Sequence, residues 1–107
     1  MKQIYFTVTG IKFRYGADFY AAGFLRPGQP VRLVKEPENE YDSDAIRVEM
    51  DGLGQIGYVA NSVHTVLGES KSAGRIYDHI GKKAVGTILY VTPRGVICAL
   101  EPKKKKQ

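Results

Sequence analysis

The stretch Glu36-Pro37-Glu38-Asn39-Glu40-Tyr41-Asp42-Ser43-Asp44-Ala45-Ile46-Arg47-Val48 sets carboxylates at every second position from Glu38 to Asp44 around one tyrosine, then runs into an alternating strand. Ionised carboxylates only accept hydrogen bonds, so such a loop can hold a hard cation, receive amides or hydroxyls, or meet a basic partner. The alternating acids faintly resemble a calcium loop, with Glu49 further on. That loop needs glycine at its sharp turn, where this chain has Ser43, and Ala45 to Val48 already reads as strand. Zinc fares worse, because one cysteine and two separated histidines, His64 and His79, do not supply an ordinary tetrahedral set. No metal and no cofactor are expected.

Nothing in the chain assembles a reaction either. Cys98 lies between Ile97 and Ala99 in an apolar strand with no adjacent base, which is the setting of a core residue. No G-x-x-x-x-G-K-[ST] loop is present, and 107 residues are too few for a helicase motor. The chain is expected to act by binding, not as an enzyme.

Composition narrows the setting. The length suits one domain over residues 1–102, followed by a basic, disordered tail at 103–107. That tail carries four of the 16 cationic residues, Lys103 to Lys106; without them 12 cations face 11 acids, so the net +5 says little about the domain itself. If nucleic acid binds, the tail adds salt-dependent phosphate attraction without reading sequence. No apolar run approaches the roughly 18 residues that span a bilayer, the N-terminus has no secretory pattern, and a lone cysteine forms no internal disulfide. A cytoplasmic protein without a membrane partner is expected.

The acidic loop needs a frame, and alternation supplies one. Ile4, Phe6 and Val8 alternate with Tyr5, Thr7 and Thr9 in a first strand ending at Gly10, and Val31 to Lys35 reads as a second, stopped by Pro37. Ile46, Val48 and Met50 oppose Arg47, Glu49 and Asp51 in the clearest strand, whose inward face that pattern fixes. Asp51-Gly52-Leu53-Gly54 turns it into a hairpin with Gln55 to Val59, and Val85 to Thr92 pairs with Val96 to Glu101 through Pro93-Arg94-Gly95. Between the hairpins, Asn61 or Ser62 is placed to cap a helix through Leu67, with His64 on its surface; Ile76, Tyr77 and Ile80 predict a second, bearing His79 and closing at Gly81. The expected fold is mainly β: a small OB-like, modified β-barrel of five to six strands with one or two short helices, closed so that no edge is exposed.

Three segments carry a family resemblance. Gly10-Ile11-Lys12-Phe13, the acidic stretch from Glu36 to Val48, and Ile56-Gly57-Tyr58-Val59 resemble the successive motifs of the HIRAN domain. The resemblance implies an OB-like barrel that, in one eukaryotic DNA-remodelling enzyme, binds single-stranded DNA at its 3′ end, and so a role in repair or replication. It also implies a protein partner carrying a motor or nuclease, since relatives are often fused to such modules. Carried over by motif position, Phe13 and Tyr41 flank the terminal base, Asp42 accepts the 3′-hydroxyl, Asn39 hydrogen-bonds base or backbone, and Lys12 contacts phosphate. An unstacked terminal base and a free hydroxyl suit an aromatic grip and a carboxylate, with stacking contributing about 1 to 3 kcal/mol per base.

The chain also departs from the DNA-binding pattern. Arg14 stands where a second aromatic occurs, Tyr58 replaces a histidine, and Asn61 falls where a phosphate-contacting lysine would be. Glu38 and Glu40 bring negative charge beside the proposed edge, against which Lys12, Arg14, Arg47 and the tail are the available cations. Structural roles compete at each position: Phe13 plugging a barrel end, Tyr41 packing over it, Asp42, Asp44 and Asn39 capping the loop, Lys12 and Arg14 as plain surface charge. The alternative function is a protein-interaction adaptor that keeps the barrel, leaves DNA unbound, and uses its acids to meet a basic partner.

Overall fold

A computed structural model of the chain describes residues 3–10 and 24–101. Six strands, β1 (Ile4–Thr9), β2 (Pro30–Lys35), β3 (Ile46–Met50), β4 (Gly54–Val59), β5 (Lys83–Thr92) and β6 (Gly95–Leu100), form a closed antiparallel barrel in the order β1-β4-β3-β2-β5-β6. Between β4 and β5 lie one short helix, α1 (Ala73–Ile76), and a 3₁₀ turn at Tyr77–His79.

Alternation becomes packing most plainly in β3, where Ile46, Val48 and Met50 are buried while Arg47 and Glu49 stay half-exposed on the outer face. Burying each such aliphatic side chain contributes about 1.5–3 kcal/mol. Phe6 and Val8 of β1, Leu33 of β2, Ile56 of β4, Ile88 of β5 and Val96 and Cys98 of β6 complete the interior. Burial pushes the Cys98 thiol up to about 12, so it stays protonated and inert.

The seam between β1 and β4 is short, with only Val8↔Val59 and Thr9↔Tyr58 in register. Gly57 allows the two strands to come this close, since a Cβ there would lie 2.2 Å from the Thr9 carbonyl oxygen. Beyond the seam, the chain after β4 stays laced to β1. Ala60 N donates to Thr7 O at 2.7 Å, Leu67 N to Thr7 Oγ1 at 3.1 Å, and Lys71 N to Tyr5 O at 2.7 Å.

This lacing overturns one sequence expectation. No helix forms over 61–67: Thr65 N and Val66 N both return to Ser62 O in a single turn, and the Leu67 amide is then captured by Thr7, sixty residues earlier. His64 is exposed on that turn and not on a helix surface. The second expected helix does form, divided into α1 and the 3₁₀ turn. Ser72 Oγ caps it by accepting from Arg75 N at 3.3 Å, and Ala73, Ile76 and Ile80 join the barrel core. No helix among the described residues is long and apolar enough to cross a membrane.

Candidate nucleic-acid interface

The acidic loop springs from the ends of β2 and β3, where Glu36 N donates to Ala45 O at 2.9 Å and pins its two stems together. Two turns shape what lies between, with Asn39 N donating to Glu36 O at 3.0 Å and Ala45 N to Asp42 O at 3.1 Å. The Asn39 side chain fixes the tip. Its Oδ1 accepts from the amides of Tyr41 and Asp42 at 2.9 and 3.0 Å, and its Nδ2 donates to Glu36 Oε1 at 2.9 Å.

Asp42 fastens the other side of the loop. Oδ1 accepts from the Asp44 amide at 2.8 Å, and Oδ2 accepts from Asn61 Nδ2 at 2.9 Å. Asn61 in turn accepts the Gly74 amide of α1 on Oδ1 at 2.8 Å. Glycine suits that contact, because a Cβ at 74 would lie 3.1 Å from Asp44 Oδ2.

Glu36 is the hub of the charged network. Tyr58 Oη donates to its two carboxylate oxygens at 3.0 and 3.2 Å, and Arg47 Nη1 reaches Oε2 at 3.0 Å. Burial works against the Glu36 charge, but hydrogen bonds from Asn39, Tyr58 and Arg47 outweigh it and hold the carboxyl below the usual glutamate range. Burial likewise opposes the Arg47 charge, and its bonds to Glu49 and Glu36 keep it raised; burial and the Glu36 contact both raise the Tyr58 phenol. Arg47 Nε also binds Glu49 Oε2 at 2.7 Å, while Arg32 bridges Glu49 and Asp51. Arg47, expected among the cations that offset Glu38 and Glu40, is engaged with Glu36 and Glu49 inside this network.

Of the residues singled out by sequence, Asn39, Tyr41, Asp42, Tyr58 and Asn61 are joined by one hydrogen-bonded chain running from Tyr58 through Glu36 and Asn39 to the loop tip, then through Asp42 and Asn61 to α1. Lys12, Phe13 and Arg14 lie outside the described residues, as does the lysine tail. The Tyr41 side of that chain is a backbone contact, for the residue itself is 92% exposed. Asp42 is half-exposed, and Glu38 and Glu40 are exposed. Sequence reasoning missed Glu36 as the hub. The signal was the outward phase of Arg47 and Tyr58, which face each other across β3 and β4 and so give a glutamate at the end of β2 two partners.

Among the described residues no group of three or more histidines, cysteines or carboxylates is placed to hold a metal ion. The geometry offers an aromatic ring presented to solvent on a braced loop, beside a carboxylate already oriented by two donors. Such a pair can stack a flat ring and accept a hydroxyl proton.

The HIRAN domain family matches residues 1–94, and the chain belongs to that family, whose domains are nucleic-acid-binding modules and not catalysts. No curated protein matches the chain. A crystal structure of a protein from Lactobacillus plantarum superposes with a TM-score of 0.60 at 19% identity, covering 92% of this chain and 93% of that one. At that identity the likeness speaks to the barrel alone.

Proposed function

We propose that this HIRAN domain, a single unit over residues 1–102 with a basic tail, recognises single-stranded DNA by its 3′ end. The proposed setting is cytoplasmic, in DNA repair or replication, beside a protein that supplies a motor or nuclease. The observation that carries the reading is Tyr41 standing 92% exposed on a loop whose backbone is held by Asn39, next to an Asp42 held by Asn61. A side chain that large, exposed on a braced loop, favours contact with a flat partner.

In this reading Tyr41 stacks on the terminal base and Phe13 is its opposite face. Each Asp42 oxygen already accepts one hydrogen bond and keeps a second lone-pair direction for the 3′-hydroxyl. That bond is charge-assisted and stronger than a neutral one. Lys12 and Arg14 take phosphates. Asn39, Tyr58 and Asn61 act by holding the other groups in place.

Fluorescently labelled oligonucleotides ending in a 3′-hydroxyl or a 3′-phosphate test the reading directly. A 3′-phosphate removes the donor and sets added negative charge against Asp42, so its affinity should fall at least about tenfold. Equal affinity for both ends would remove end recognition. The second reading, a protein adaptor, draws on exposed Glu38 and Glu40, which form no ion pair among the described residues. Capture of a basic protein by a chain that ignores every oligonucleotide would favour it.

A further inference from the structure

The segment around α1 has a charge character opposite to that of the acidic loop. Lys71, Arg75 and His79, each four residues from the next, line a groove of about 320 Å³ together with the side chains of Ile4 and Ile76. All three are exposed, and none forms an ion pair or side-chain hydrogen bond within the described residues. Arg32 and Arg47, by contrast, are both held by carboxylates. The groove is firmly mounted: Lys71 N is tied to Tyr5 O of β1, Ser72 caps α1, and Ile76 is buried. The acids nearest in sequence, Glu69 and Asp78, are exposed and equally without ion pairs among the described residues.

Position gives this groove its meaning. Arg75 follows Gly74, whose amide is bound by the same Asn61 that holds Asp42. Arg75 therefore follows directly on the point where α1 meets the loop, with Lys71 on one side of that point and His79 on the other. We propose that the Lys71–Arg75–His79 groove binds the phosphodiester backbone of single-stranded nucleic acid, so that a strand whose end lies at Tyr41 and Asp42 continues along α1. This rests on the end-binding reading for its direction, and for its charge on the groove's cations, unpaired among the described residues, and their place beside the loop. Half-buried Ile4 in its lining suits a sugar face between phosphates. A half-open groove lined by a lysine, an arginine and a histidine suits a backbone tracked by charge better than an enclosed apolar ligand.

The test compares the full chain with Lys71→Gln/Arg75→Gln, titrating 3′-hydroxyl and 3′-phosphate forms of a three-nucleotide and a twelve-nucleotide thymidine oligomer at 50 and 200 mM salt. Both substituted residues are exposed, so circular dichroism and the urea midpoint should match wild type. The twelve-mer should lose roughly tenfold in affinity, and the slope of log K against log salt should shrink by about 1.4, the share of two phosphate contacts on a single strand. The three-mer should change little, and the hydroxyl-to-phosphate ratio should stay as in wild type. An unchanged slope and affinity for the twelve-mer would overturn the groove while leaving end recognition standing. A reduced slope in a protein with no hydroxyl preference would support the groove and remove end recognition. Binding of polyglutamate, lost in the same double variant, with no oligonucleotide binding, would reassign the surface to an acidic protein and overturn the proposal.

Discussion

Two segments of opposite charge meet at Asn61, and they use that charge in opposite ways. From Glu36 to Asp44 every ionisable residue is acidic, and Glu36 and Asp42 are each bound by two or more groups of the protein itself. From Lys71 to Lys83 four lysines and arginines accompany a single acid, Asp78, and Lys71, Arg75 and His79 form no ion pair among the described residues. A dense run of like charge is therefore no measure of what it binds. Glu36 and Asp42 serve first as hydrogen-bond acceptors within the protein, and Lys71, Arg75 and His79 are without such partners among the described residues.

Replacing the hub should damage the acidic segment most. Glu36→Ala removes the acceptor for Asn39, Tyr58 and Arg47 at once, and hydrogen bonds to a charged group contribute about 1.5–3 kcal/mol. Urea unfolding should show a loss of about 2–3 kcal/mol, against no measurable loss in Lys71→Gln/Arg75→Gln. Equal losses in the two variants would erase the contrast between an interlocked segment and an open one.

Tyr41→Ala sharpens the comparison from inside the loop, because this one side chain is committed to solvent. The urea midpoint should stay where it is, while affinity for a 3′-hydroxyl oligonucleotide falls by the about 1–3 kcal/mol that a stacked base supplies. A variant that unfolds more easily yet binds as before would make Tyr41 structural.

The smallest expected effect is a pH dependence. Because the folded state holds the Glu36 carboxyl below its ordinary value, the unfolded chain takes up its proton first as pH falls. The stabilisation is complete above the unfolded glutamate value of about 4.3 and is lost as pH drops through the folded one. Stability measured from pH 6 to pH 3 should therefore fall more steeply in wild type than in Glu36→Gln. Parallel curves would mean that Glu36 keeps its proton equilibrium on folding.

What could be read from the sequence follows the range of the forces involved. Alternation in β1 and β3 and the turn chemistry at Asp51 to Gly54 are local, and they placed strands and hairpin within a residue. The HIRAN motifs are less local, yet Asn39, Tyr41 and Asp42 sit close enough in sequence to mark one loop. The single turn at Ser62 was illegible, because the group that ends it is the Thr7 hydroxyl on a strand reached only after the barrel closes. The engagement of Arg47 was hidden for the same reason: its partner Glu36 lies eleven residues back, in the loop that follows β2. Long-range polar partners decide whether a charge is available, and no periodicity announces them.

Cys98, finally, turns the barrel into its own clock. The sulfur is sealed among Phe6, Val8 and their neighbours and held as a thiol, so an alkylating reagent meets a reactive thiolate only after the wall around it has come apart. The pace at which the single sulfhydryl is capped under native conditions then counts whole-domain excursions and passes over fraying at the loops. Slowing of that pace by an oligonucleotide would weigh ligand and fold on one scale.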